Sequence, residues 1–204
     1  MSDPAGFFTV IRAQRAHREY TADPVPDEDL RTILEAATWA PSAENSQPWE
    51  FVVVRDPERR AELDELGRRL WRHGGHDASA GRLEPSLLTE VDQAIEAGFG
   101  AAPVVVVVAG DTSRCRRAAL ASSIFPAVQN LLLAAGALGY GTALTTLTTY
   151  AADDVRRIVE LPEGIEPVAV VPIGVPARAL GPSRRAPVAT RAHLDRYGQD
   201  LLPG

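Results

Sequence analysis

The run Pro103-Val104-Val105-Val106-Val107-Val108-Ala109 constrains this chain more than any other segment. It has no polar residue to turn toward water, and it is much too short to cross a bilayer as a helix. Successive side chains of a strand point to opposite faces of a sheet. A strand that is apolar throughout must therefore be covered on both faces. The run predicts a central strand with packed layers on each side. Pro167–Ile173 reads as a second fully buried strand, and residues 50–54 and 141–147 supply two more.

The layers are legible as helical periodicity. Leu30, Ile33, Leu34 and Ala37 follow the i, i+3, i+4, i+7 spacing of one buried stripe, with Pro26 and the acidic Asp27, Glu28 and Asp29 suited to the helix start. Residues 7–18 read as a short helix with Phe7, Phe8, Val10 and Ile11 on its apolar side. Residues 57–70 predict a charged helix turning Leu63, Leu66 and Leu70 inward. Residues 85–99 predict another, with Leu87, Leu88, Val91 and Ile95 inward, and Asp153–Glu160 a short one. The stretch Leu120–Leu138 is apolar almost all round, as expected of a helix covered once by its own domain and again by a second subunit. Loosely alternating strands and helices, without an internal repeat or linker, predict one domain over residues 1–204 of α+β class, with helices on both faces of the sheet.

Composition narrows the chemistry. The net charge of -6 argues against a general binder of nucleic acid or anionic membranes. The chain contains no lysine, which excludes Schiff-base chemistry and a Walker-type phosphate lysine. Any phosphate it grips is gripped by arginine or by backbone amides. The single cysteine, Cys115, lies among Arg114, Arg116 and Arg117 without a histidine base nearby, so it reads as non-catalytic. One cysteine and an N-terminus without a basic or long apolar segment fit a cytoplasmic protein. Gly139-Tyr140-Gly141 precedes a strand instead of opening a helix, so it is not a dinucleotide fingerprint. Residues 71–84, with Gly74, Gly75 and Gly81, read as an irregular excursion beside the site. Its His73 and His76 read as solvated, because the segment offers too few ligands for a metal.

The polar loop Ala40-Pro41-Ser42-Ala43-Glu44-Asn45-Ser46-Gln47-Pro48-Trp49 is the densest chemical signal. It exposes short polar side chains and backbone amides between a helix and a strand, a surface able to hydrogen-bond the edge of a flat polar ring. It resembles the A-P-S-x-x-N-x-Q-P-W hallmark of the FMN-dependent nitroreductases at every specified position. Arg15-Ala16-His17-Arg18-Glu19-Tyr20, Asn130-Leu131-Leu132-Leu133, Gly139-Tyr140-Gly141-Thr142, Pro172-Ile173-Gly174-Val175-Pro176 and Arg184-Arg185-Ala186-Pro187 resemble further family segments in the right order, over about residues 10–197.

The resemblance implies a mixed, mostly antiparallel sheet in an intertwined homodimer. FMN lies at the subunit interface, and the tail, residues 177–204, extends over the partner. It implies phosphate and ribityl contacts from Arg15, Ala16, Arg18, Arg184 and Arg185. Contacts from Pro41, Ser42, Ala43 and Asn45 reach across to the partner's flavin, and Gln47 either joins them or holds the loop's own backbone. Backbone near Thr146 and Leu147 adjoins flavin N5, with no catalytic side chain and no metal. The chain departs from the pattern at Gln14, where many relatives have Arg, at Ala16, where they have Ser, and at Thr146-Leu147 in place of Glu-Gly. The implied reaction takes a hydride from NADH or NADPH and delivers it to nitroaromatic, quinone or similar planar acceptors by a ping-pong scheme. A flavin-dependent oxidase or dehydrogenase tailoring a natural-product ring, and a non-catalytic flavin-binding protein, remain the alternatives.

Overall fold

The computed structural model describes residues 4–98, 102–146, 150–181, 183 and 185–201. Four strands, β1 (Trp49–Val54), β2 (Val104–Asp111), β3 (Gly141–Thr142) and β4 (Ile165–Gly174), form one sheet in the order β1-β2-β4-β3. Among the described residues the three strand pairings are antiparallel, and an isolated bridge between Ala16 and Thr142 is parallel. The helices are α1 (Pro4–Ala13), α2 (Asp27–Thr38), α3 (Pro57–Leu70), α4 (His76–Ala80), α5 (Pro85–Ala97), α6 (Arg117–Ala137) and α7 (Ala152–Val159).

The valine run is central, as its composition requires. Val104, Val106 and Val108 face one core together with α2 and α6, while Val105 and Val107 face a second core built with α3 and α7. Each of these valines is essentially sealed from water, worth roughly 1.5–2 kcal/mol apiece in transfer free energy. On the first face Ile33 of α2 packs into the core that also holds Leu131 of α6, both fully buried. The polar Asn130 of α6 donates from Nδ2 to the carbonyl of Ala36 at 3.1 Å, satisfying a carbonyl at the end of α2. On the second face Arg69 and Arg157 tie α3 to α7 through Asp154 and Glu62.

Helix α6 is long and apolar enough to cross a membrane, alone in this among the described residues, yet it is the core helix packed against α2 and the sheet. It continues through Pro126 and ends at Ala137; two residues on, Gly139 at φ +88° lets the following amide of Tyr140 return to the carbonyl of Ala135 at 2.9 Å.

Several expectations change. The first helix ends at Ala13, short of residue 18, because the chain beyond it is extended beside β3, where the His17 amide donates to the Thr142 carbonyl at 2.9 Å. Its Phe7, Phe8 and Ile11 are exposed. The third predicted strand shrinks to Gly141–Thr142, followed by an isolated bridge from Thr145 to Val170; Leu147 lies outside the described residues. Residues 71–80 are more helical than expected, with non-helical backbone kept at His73 and Gly74, and residues 81–84 are turn and loop. A π-turn over Trp71–Gly75 accommodates Gly74 at φ +122° and leads directly into α4. Trp71 is the reason: it is buried, and its Nε1 donates to Asp92 of α5 at 2.7 Å, clamping the segment down. Cys115, read as non-catalytic, is buried in the first core.

Candidate functional site

Three cavities that share lining residues form a cleft along α5. At one end a cavity of about 360 Å3 is lined by Ala16, His17, Arg18, Glu19, Ala94 and Arg178, among others. A narrower space of about 120 Å3 shares Arg18 and Ala94 with it and adds Tyr20, Gly98 and Leu144. That space shares Val91, Leu144 and Thr145 with a wide cavity of about 770 Å3, reaching Thr146, Tyr150 and Trp71. Val91 and Ile95 of α5 are only partly covered for this reason: they line the cleft instead of entering a core. Leu87, expected inward with them, is exposed.

The sequence builds this cleft by close backbone approach. A Cβ on Gly141 would lie 2.7 Å from the Cβ of His17, nearer than real side chains come, so glycine lets the arginine-bearing segment lie against β3. The phenol of Tyr20 donates to the carbonyl of His17, holding the segment's turn, and burial pushes its pKa upward. Tyr140 fixes the entry to β3 by donating to Asp29 Oδ2 at 2.5 Å.

The narrow end is lined by two arginines, Arg18 and Arg178, and two glutamates, Glu19 and Glu90. The His17 imidazole is held below its ordinary pKa by burial first, then by the charges of Arg15 and Arg178. Arg15 donates from Nε and Nη2 to the carbonyl of Gly181 at 3.2 and 2.8 Å. Arg178 pairs with Glu19 at 3.0 Å, an exposed pair worth little in stability. Arginine forks around a half-buried cavity are the donor set that suits a phosphate dianion. The far end is apolar and suits a flat ring.

Ala16, Arg18 and Thr146 therefore lie along one cleft, while Arg15 lines a separate cavity of about 180 Å3 with Gln14, Tyr140 and Thr142, which shares His17 with the cleft. Arg185 lies in the exposed tail, while Arg184 and Leu147 fall outside the described residues. His17, Tyr20, Arg178 and the α5 wall were missed as site residues. The first two sit inside the arginine-rich segment, so their neighbourhood was already visible. Only the fold could bring Arg178 and α5 there.

The polar loop is elsewhere. Its backbone carries positive φ at Glu44, Asn45 and Gln47, and it is stitched internally. The Gln47 amide donates to Ser42 Oγ at 3.0 Å, and Gln47 Nε2 donates to Asn45 Oδ1 at 3.2 Å. Gln47 thus holds the loop together. The Ala43 amide donates to Ser123 Oγ of α6 at 3.1 Å, and the Pro48 carbonyl accepts from the Asp111 amide at 2.7 Å. Trp49 pairs with Gly110 at one end of β2, whereas Thr142 is level with Val104 at the other end, through Ile173. Three strand spacings of about 4.8 Å and six residues of about 3.3 Å put the two regions roughly 25 Å apart, at opposite corners of the sheet. Pro41, Ser42, Ala43 and Asn45 thus lie toward the corner of the sheet opposite the one beside Arg18. Among the described residues there is also no cluster able to hold a metal ion.

The nitroreductase family model matches residues 11–175. An NADH dehydrogenase of Thermus thermophilus is 32% identical over 198 residues, spanning 88% of this chain and 91% of that protein. A protein of Methanothermobacter thermautotrophicus named NADH dehydrogenase/NAD(P)H nitroreductase is 30% identical over 192 residues, spanning 92% and 85%. A nitroreductase from Desulfovibrio desulfuricans, solved in complex with FMN, superimposes with a TM-score of 0.72 at 28% identity, covering 97% of this chain and 99% of that one.

Proposed function

The chain belongs to the nitroreductase family and is an oxidoreductase, and from that premise we propose that it is an FMN-dependent NAD(P)H oxidoreductase working as a homodimer. The observation that carries the reading is the cleft with Arg18, His17 and Arg178 at one end and Leu144, Thr145 and Thr146 toward the other. Such a cleft fits a phosphate-bearing ligand with a flat ring. The FMN bound by the Desulfovibrio relative, and the NAD(P)H in the name of the Methanothermobacter relative, support the choice of cofactor and donor.

Arg15 and Arg18 would hold the phosphate, with Ala16 beside them, and Arg184 and Arg185 would close over it from the tail. Backbone at Thr146 and Leu147 would lie along the ring. The ring's polar edge needs donors and acceptors, and the family resemblance draws some of them from the polar loop. The loop Pro41, Ser42, Ala43 and Asn45 carries them at the far corner of the sheet, so a second copy would bring its own loop to the site. Exposed Phe7, Phe8 and Ile11 of α1 supply apolar surface for that contact. The tail from residue 177 would reach over the same partner. A cytoplasmic setting fits the single, reduced cysteine.

When bound, FMN supplies the redox chemistry, taking a hydride from NADH or NADPH and passing it on to a nitroaromatic, a quinone or a similar electron-poor acceptor. The protein's part is to grip the phosphate, fix the ring, exclude water with the Trp71 wall and leave one slot that donor and acceptor occupy in turn. An anaerobic absorbance spectrum before and after NADH or NADPH tests this. Bleaching of a bound flavin and recovery of its colour on adding a quinone is the expected result; a protein that takes up no FMN contradicts it. Double-reciprocal plots at several donor levels should run parallel.

A further inference from the structure

The wide end of the cleft has an apolar wall that includes Leu70, Trp71, Leu83, Ile95 and Leu144. None of its lining residues is acidic, and Arg82 is the lining side chain that is always charged. This is notable in a chain of net charge -6. Arg82 is held in place at the turn that follows α4. Its amide donates to the carbonyl of Ser79 at 2.9 Å, and its Nε donates to the carbonyl of Ala78 at 2.9 Å. Among the described residues no acceptor meets its Nη1 or Nη2.

Three carboxylates of the surrounding helices are engaged elsewhere, and among the described residues Glu84, two residues on, makes no hydrogen bond or ion pair with Arg82. Asp92 accepts from Trp71 Nε1 at 2.7 Å and lies 3.7 Å from His76 Nε2. Glu96 pairs with Arg72, and Asp77 lies 3.2 Å from His76 Nδ1. His73, the other titratable cationic group of the lining, is anchored by its Nδ1 at 2.8 Å from the Arg69 carbonyl. An exposed, planar guanidinium at the edge of an apolar cavity, with the N–H groups of Nη1 and Nη2 to spare, matches a carboxylate carried on a flat ring.

We propose that Arg82 sets acceptor specificity, binding the carboxylate of an aromatic acceptor whose ring lies against the Trp71 wall. As a statement about turnover this rests on the reductase reading above; as a statement about binding it stands alone. Neutral aromatics fill the same apolar space but leave the fork solvated, so discrimination comes from the charged end.

The test uses the purified flavin-containing protein and two compounds of one shape, 4-nitrobenzoate and the neutral 4-nitrobenzamide. The readout is the ratio of their kcat/KM values in the natural chain, in Arg82→Gln and in Arg82→Lys. Arg82→Gln is expected to lower the ratio about tenfold, mainly through the KM of nitrobenzoate, and Arg82→Lys to restore part of it. A ratio unchanged in Arg82→Gln overturns the assignment while leaving the reductase reading intact. If neither compound is reduced with any donor, the reductase reading fails, and equilibrium dialysis of 4-nitrobenzoate decides the role of Arg82. About tenfold weaker binding in Arg82→Gln supports it, and equal binding overturns it.

Discussion

Arg15 holds the carbonyl of Gly181 with both Nε and Nη2, at 3.2 and 2.8 Å, across a sequence separation of 166 residues. This contact ties the start of the tail to the segment that carries Arg18 into the cleft. One guanidinium therefore serves two ends: it fixes where the tail departs, and it adds to the field felt by His17. Replacing Arg15 by Ala should weaken FMN binding by roughly tenfold or more, and it should also loosen the tail. Recovery of flavin fluorescence on dilution measures the first, and faster proteolytic cutting within residues 181–201 measures the second. Unchanged flavin affinity would remove Arg15 from the phosphate grip.

The bond between Tyr140 and Asp29 has a pH signature. Donation to the Asp29 carboxylate, with desolvation next, pushes the phenol from 10.0 up to about 12. The folded value is raised, so the protonated phenol contributes stability fully below pH 10, and the contribution disappears as pH rises through about 12. Tyr140→Phe should cost about 1 kcal/mol at pH 8, a figure already reduced for solvent exposure. The gap between the two proteins should close by pH 12. Urea midpoints of both at pH 8 and at pH 11.5 check this; a constant gap contradicts it.

Gly141 is the pivot of the cleft's narrow end. Gly141→Ala places a methyl 2.7 Å from the His17 Cβ and 3.0 Å from the Pro176 Cγ. The His17 strand must move, costing about 1–3 kcal/mol and lowering flavin affinity together with stability. By contrast Leu131→Ala, a cavity mutation in the first core, should cost about 2–4 kcal/mol while the folded protein keeps its flavin affinity. Thermal melts paired with flavin titrations separate the two outcomes.

How much of this was legible in the sequence depended on what each signal encodes. Periodicity encodes burial. It placed α2, β2 and β4 within a few residues and set the two cores on opposite faces of Val104–Val108. It failed on residues 71–80 because Gly74 and Gly75 read as a break, whereas a π-turn absorbs them and Trp71 anchors the turn through Asp92. It also took Val91 and Ile95 for core residues, since an apolar cleft wall and an apolar core obey the same spacing. The polar loop and the arginine segment were readable as motifs. Their placement at opposite corners of the sheet was not, because strand order is a property of the whole chain.

His17 reports directly on the field at the narrow end. Its folded pKa is lowered, so the unfolded chain takes up the proton first, and stability falls as pH drops below 6.5. An anion bound beside Arg15 and Arg178 opposes those charges and should raise the His17 pKa. Sulfate serves as the probe, because its charge is constant from about pH 5 to 8. An NMR titration of the His17 ring with and without sulfate should show the upward shift. A downward shift, or none, would argue against an anion at this end.

The central claim is that the arginine cleft of one chain is completed by the polar loop of another, and subunit complementation tests it most directly. One variant carries Arg15→Ala with Arg18→Ala; the other carries Ser42→Ala with Asn45→Ala. Each alone should bind no FMN. Unfolding, mixing in equal amounts and refolding together makes half the dimers hybrids, and each hybrid has one site with both parts intact. The account predicts recovery of about a quarter of the natural FMN stoichiometry. Recovery of none, with hybrids demonstrated by mass, would place loop and cleft in the same protomer's site and contradict it.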